Sequence, residues 1–146
     1  MDRAPIRHEF VETVPAEREE GVLYISIEFE VTVHNCFCGC GSKIVLPLSP
    51  TDWRLTFDGD TVSLWPSVGN WSYSCQSHYV ISRNEIVWAP AWTKEQIDAG
   101  RARDWARKAA YYGDEAVPTD EQLPSSDTST SARRSLWSRL RHPFSR

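Results

Sequence analysis

The most regular pattern in the chain is an alternation of apolar and polar positions across "GVLYISIEFEVTVHNC". Leu23, Ile25, Ile27, Phe29, Val31 and Val33 alternate there with Tyr24, Ser26, Glu28, Glu30, Thr32 and His34. Period two is the signature of a half-buried strand. The run is long for a single strand, which admits a bulge or a bend into a second one. In this register His34 and Cys36 share the polar face with Glu28. Downstream, "KIVLPL" reads as a short strand stopped by Pro47. "WRLTF" and "TVSLW" flank Asp58-Gly59, a pair suited to a tight hairpin turn. "PSVGNW" is expected as a loop, "YSCQSHYVIS" as a strand, and "RNEIVWAP" as a turn and a final strand. Roughly six short strands with local connections predict a mainly β (α+β) fold, a small antiparallel sheet or barrel-like β domain.

One helix is legible over residues 93–112. Thr93 can cap it, and Gln96 three residues later completes a capping box. Ile97, Trp105, Ala109 and Tyr112 fall on one side, and Gly113 suits its stop. The expected docking of this helix is across the sheet, closing a domain of residues 1–112. Beyond it the periodicity ends. Residues 113–130 carry five acids and no base, and residues 131–146 five arginines and no acid. So polar a stretch predicts a disordered tail, acidic and then basic.

A chain of 146 residues with 40% hydrophobic content supports one domain. Residues 1–112 hold 11 basic and 15 acidic groups, a balance that argues against a nucleic-acid groove. No apolar leader and no long apolar run is visible, which predicts neither signal peptide nor transmembrane segment and a cytoplasmic location. In that compartment clustered cysteines bind metal or do chemistry more often than they form disulfides.

All four cysteines fall in two segments, "HNCFCGCG" and "CQSH". Cys36, Cys38, Cys40, Cys75 and His78 are the candidate ligands, in a number that exceeds the four positions of a tetrahedral zinc site. If the four cysteines close the site, His34, Ser77 and His78 are left for other work. If His78 is a ligand, one cysteine is spare and can act as a thiolate nucleophile. On a strand, Cys75 and Ser77 face one way and His78 the other. His34, arriving from the other segment, is then the better-placed base for Ser77. Glu28 would suit a metal-bound water as base, but along a straight strand it lies ~26 Å from Cys36 at ~3.3 Å per residue.

The strings "HEFVETVP", "GVLYISIEF", "HNCFCGCG", "LPLSPTDWRLTFDGDTVSLWPSVGNW" and "CQSHYVI" occur in this order. Together they resemble a bacterial domain-of-unknown-function family found in operons with ubiquitin-like proteins and their activating-like and conjugating-like enzymes. The resemblance covers roughly residues 8–92. It implies a peptidase of anti-phage type operons that matures a ubiquitin-like protein or removes it from targets. It further implies a site built from Cys36, Cys38, Cys40, Cys75, Ser77 and His78, with Asn70 and Trp71 shaping substrate binding. Two mechanisms stay open. Zinc can activate water while Ser77 holds the tetrahedral intermediate, or zinc can be structural while Ser77 or a spare cysteine attacks. A zinc-stapled module that binds a ubiquitin-like protein without catalysis is the alternative.

Overall fold

The computed structural model describes residues 3–113, so the expected acidic and basic tail lies outside the described residues. The strands are β1 (Arg3–Pro5), β2 (Arg7–Phe10), β3 (Val22–Ser26), β4 (Val31–Asn35), β5 (Lys43–Pro47), β6 (Arg54–Phe57), β7 (Val62–Gly69), β8 (His78–Ser82) and β9 (Glu85–Trp88). One helix, α1 (Lys94–Tyr112), follows them. The fold is mainly β, as the sequence predicts, but it has two sheets. One has the order β1-β9-β8-β7-β6 and is antiparallel; the other runs β2-β3-β4-β5, with β2 parallel to β3. Leu23, Ile25, Ile44 and Leu46 of the second sheet and Leu64, Val68, Tyr79, Ile81 and Ile86 of the first bury one shared core.

The expected long strand folds back into the β3–β4 hairpin, through a turn over residues 27–30. Ile27 and Phe29 continue the apolar period in sequence yet stand exposed in that turn. The turn also changes which face is inside. Ile25 pairs with Thr32 and Tyr24 with Val33, so the core face of β3 continues through Thr32 and His34. Both polar side chains are fully buried, and Thr32 Oγ1 and His34 Nδ1 have no hydrogen-bond partner among the described residues. Each unsatisfied atom costs about 1–3 kcal/mol, so other interactions must offset them. Glu28 sits in the exposed turn, at the far end of β4 from Cys36.

Two local features set up the site. β7 extends through "PSVG", which the sequence reads as a loop, and its pairing with β8 slips between Leu64↔Ile81 and Val68↔Tyr79. The slip fits two extra residues of β7 around Pro66, which has no N–H to offer a ladder, and such bulges re-aim side chains. "YSCQ" forms a turn instead of a strand, and β8 begins only at His78.

The helix has the predicted ends. The Thr93 side chain accepts from Gln96 N, Gln96 returns the bond to Thr93 N, and Gly113 follows with φ 82°. It does not pack across a sheet, because none of its residues is buried. It instead leans on the β body through Lys108 Nζ, 2.8 Å from Asp52 Oδ1, and through Gly100 against Trp92.

Candidate metal centre and active site

Cys36, Cys38 and Cys40 lie in the β4–β5 loop, whose tight course rests on Gly39 at φ 86° and Gly41 at φ 78°. Cys36 N donates to Ser42 O at 2.8 Å and Gly39 N to Cys36 O at 3.0 Å, closing the loop on itself. Cys75 comes from the β7–β8 turn, which the Tyr73 hydroxyl fastens to Lys43 O at 3.1 Å. Together these bring the four sulfurs within 4.8 Å of one another. Zinc at ~2.3 Å from each of four thiolates sets them ~3.8 Å apart, so the spacing fits a tetrahedral ion. The thiols are free, with no disulfide among them. Burial and the Cys36 thiol push Cys38 up to about 12, whereas hydrogen bonds from Ser42 pull Cys40 down to about 6. Four crowded thiols divide their protons unevenly, and a metal ion displaces them.

His78 does not join this cluster. The Ser77 hydroxyl does reach it, at 3.2 Å from Cys36 Sγ and 3.5 Å from Cys75 Sγ, and it accepts from Asn70 Nδ2 at 2.8 Å. Asn70, expected near substrate, is buried in this network and also faces Cys36 Sγ at 3.6 Å and the Tyr79 hydroxyl at 3.5 Å. His34 does not contact Ser77. Its Nε2 meets the Tyr79 hydroxyl at 2.7 Å, and its ring stacks on Phe37 at 4.4 Å. Burial lowers His34 to about 3, which makes it a poor proton acceptor. Ser77 therefore stands among candidate metal ligands and an amide, without a base in contact among the described residues.

On the opposite face of β8, His78 is buried and held by two bonds. Its Nδ1 lies 2.7 Å from Pro90 O and its Nε2 lies 2.9 Å from Ser67 Oγ. A carbonyl can only accept, so Nδ1 carries the proton and Nε2 presents its lone pair to the Ser67 hydroxyl. Serine, imidazole and a fixed acceptor behind the ring are the parts of a serine-protease triad, with a backbone carbonyl in the carboxylate's place. Trp71 and Trp92 wall the imidazole, at centroid distances of 5.0 Å and 5.2 Å, and stack on each other at 5.6 Å. Trp71 can lie this close to β7 because residue 69 is glycine; a Cβ there would be 2.4 Å from Trp71 Nε1. Ser67, Trp71, His78 and Trp92 open into a groove of about 430 Å³ whose far side is α1.

The sequence reading did not find Ser67, Tyr79, Pro90 or Trp92. The pairing of Ser67 with His78 depends on "PSVG" being strand, where its sequence predicts a loop. The only local signal was the stretch "SVGNW", with serine, glycine and tryptophan close together.

Residues 10–89, more than half of the chain, match the family described as bacterial ubiquitination-like system serine protease (BubE). No curated protein and no solved structure matches the chain.

Proposed function

The chain belongs to the BubE family of serine proteases of a bacterial ubiquitination-like system, and from that premise we propose that it cleaves a ubiquitin-like protein at its extended tail, to mature it or to release it from a target. Ser67 is the nucleophile and His78 its base. The observation that supports this is the 2.9 Å contact of His78 Nε2 with Ser67 Oγ, with Nδ1 tied to Pro90 O. In acylation Ser67 Oγ attacks the scissile carbonyl and passes its proton to His78 Nε2, which then hands it to the leaving amine. Water reverses the sequence, releasing the acid. Trp71 and Trp92 exclude water from the imidazole and restrict its tilt.

The four cysteines would hold zinc as a structural ion, whose binding would supply folding free energy and take no part in the chemistry at Ser67. Ser77 and Asn70 steady those thiolates, an assignment that replaces the expected Ser77–His34 pair. Binding partners are the ubiquitin-like protein and, by the operon resemblance, its activating-like or conjugating-like enzymes.

A fluorophosphonate probe followed by peptide mapping tests the assignment. Labelling is expected at Ser67, and Ser67→Ala should abolish both labelling and cleavage of a co-encoded ubiquitin-like precursor at unchanged zinc content. Ser77→Ala should lower zinc retention, while the fraction of the variant that still carries zinc should keep Ser67 reactive. A label on Ser77, or an active Ser67→Ala enzyme, refutes the reading. Tight precursor binding with neither labelling nor cleavage would favour the non-catalytic module.

A further inference from the structure

We propose that the groove beside Ser67 selects a peptide tail bearing acidic side chains, which Arg101 and Arg103 of α1 recognise; this rests on Ser67 being the nucleophile. The helix is the unusual wall. It lies outside the family match at residues 10–89 and buries none of its own residues, so burial in the core does not account for its position. It is keyed instead to the aromatic side of the active groove. A Cβ at Gly100 would stand 2.9 Å from Trp92 Cζ3, and Trp92 is itself in contact with Trp71 and His78. The Lys108–Asp52 ion pair fastens the other end of the contact.

The charge at this wall opposes that of the body. Residues 1–112 hold 11 basic and 15 acidic groups. Four of those bases, Arg101, Arg103, Arg107 and Lys108, line this one groove. Lys108 pairs with Asp52 and Arg107 with Asp104, which leaves Arg101 and Arg103 without an ion-pair partner among the described residues. The groove thus offers two cations without a direct ion pair, Arg101 having the Lys94-paired Asp98 near it, on a body whose charge balance is acidic. Beside Ser67 the lining is Pro66, Trp71 and Trp92, flat surfaces suited to a slender segment of small residues. A small-residue stretch at the nucleophile with Asp or Glu reaching α1 matches both parts of the groove.

Three probes decide this: a small neutral fluorophosphonate, and two peptidyl phosphonates of one length and core that end in paired Asp or paired Lys. Each reacts by forming a Ser67 Oγ–P bond as fluoride or phenoxide leaves and His78 takes the serine proton. With two exposed charge contacts at stake, the acidic probe should label Ser67 about five- to tenfold faster than the basic one at low salt. The ratio should fall towards one in about 1 M salt. An R101E/R103E variant should invert it, and R101Q/R103Q should bring it near one, each rate being taken relative to the neutral probe on the same variant. Equal rates for the two peptidyl probes, or a ratio that the charge-reversed variant leaves intact, overturn the inference while Ser67 labelling stands. Failure of all three probes to label Ser67 overturns the nucleophile assignment, and this inference with it.

Discussion

Gly69→Ala perturbs the active groove while leaving every reacting group in place. Two effects of opposite sign compete. Gly69 is not among the glycines with positive φ, so alanine fits the backbone and, by restricting the unfolded chain, would stabilise by about 0.4–1 kcal/mol. Against that, the new Cβ would lie 2.4 Å from Trp71 Nε1, 2.6 Å from Cε2 and 2.9 Å from Cζ2. Comfortable carbon contacts begin near ~3.5 Å, so the indole must move by more than ~1 Å. It then gives up its stack on Trp92 at 5.6 Å and its contact with His78 at 5.0 Å. Two aromatic pairs at about 0.5–1.5 kcal/mol each give a loss of about 1–3 kcal/mol, in the range found for overpacking. The clash wins, and the net destabilisation is about 1–2 kcal/mol, or roughly 3–8 °C in melting temperature.

The assay is a thermal melt by circular dichroism beside the rate of Ser67 phosphonylation, run on Gly69→Ala, Trp71→Ala and the double variant. In the Trp71→Ala background the three atoms nearest the Cβ, all of the Trp71 indole, are gone, so the same glycine substitution should cost much less or become stabilising. Reactivity in Gly69→Ala should fall at least tenfold, because His78 loses one wall. Equal melting points for Gly69→Ala and wild type, or the same cost with Trp71 absent, would refute the coupling of Gly69, Trp71 and His78.

Cys75→Ser should lose bound metal, measured by mass spectrometry of the eluted ion, and should be less stable by several kcal/mol, because structural zinc binding is coupled to folding. Thr93→Ala removes the helix cap at about 1 kcal/mol, yet α1 buries no residue. Hydrogen exchange should therefore quicken in the helix alone while the melting point of the β body stays put. Glu28→Gln should leave cleavage within about twofold, since the side chain sits in the exposed β3–β4 turn and surface changes act weakly. A large loss there would revive a metal-bound water with Glu28 as its base.

The candidate metal cluster was legible in the sequence and the proposed Ser67–His78 pair was not, for reasons that can be named. Four cysteines confined to two segments need only two loops to meet, whatever the sheet does between them. Thr93 and Gln96 form a helix start within four residues, so that end was legible from local chemistry. The hairpin at residues 27–30 was not. The turn "IEFE" holds no glycine, proline or asparagine, and Glu30 takes the left-handed conformation, φ 49°, that glycine or asparagine usually marks. Apolar Ile27 and Phe29 preserve the period straight through it. Once the chain folds back, Thr32 and His34 exchange solvent for the core, which turned an expected base into a buried neutral ring. Ser67 was hidden by proline. Pro66 in a central strand argues for a loop, and only the slipped pairing of β7 with β8 admits it.

The same slip and the alternation of side chains explain how one short segment serves both sites. Ser77 and His78 are neighbours, and the period of two sends them to opposite faces of the sheet. Ser77 meets Cys36 and Cys75, while His78 meets Ser67. The backbone bond from Asn70 N to Ser77 O at 2.9 Å holds this step against the end of β7. In the proposed enzyme a metal ion that gathers Cys36, Cys38, Cys40 and Cys75 therefore fixes the start of β8, and with it the position of His78, without touching substrate. A loose turn at residues 73–76 would let His78 slide relative to the bulge that aims Ser67. A drift of about 1 Å between nucleophile and base is enough to cost a hundredfold in rate. A β domain of this size has little buried area with which to prevent such drift. In the proposed enzyme the metal-bound cluster would supply that rigidity from the side of the sheet away from the groove, leaving the Ser67 face open for an extended tail.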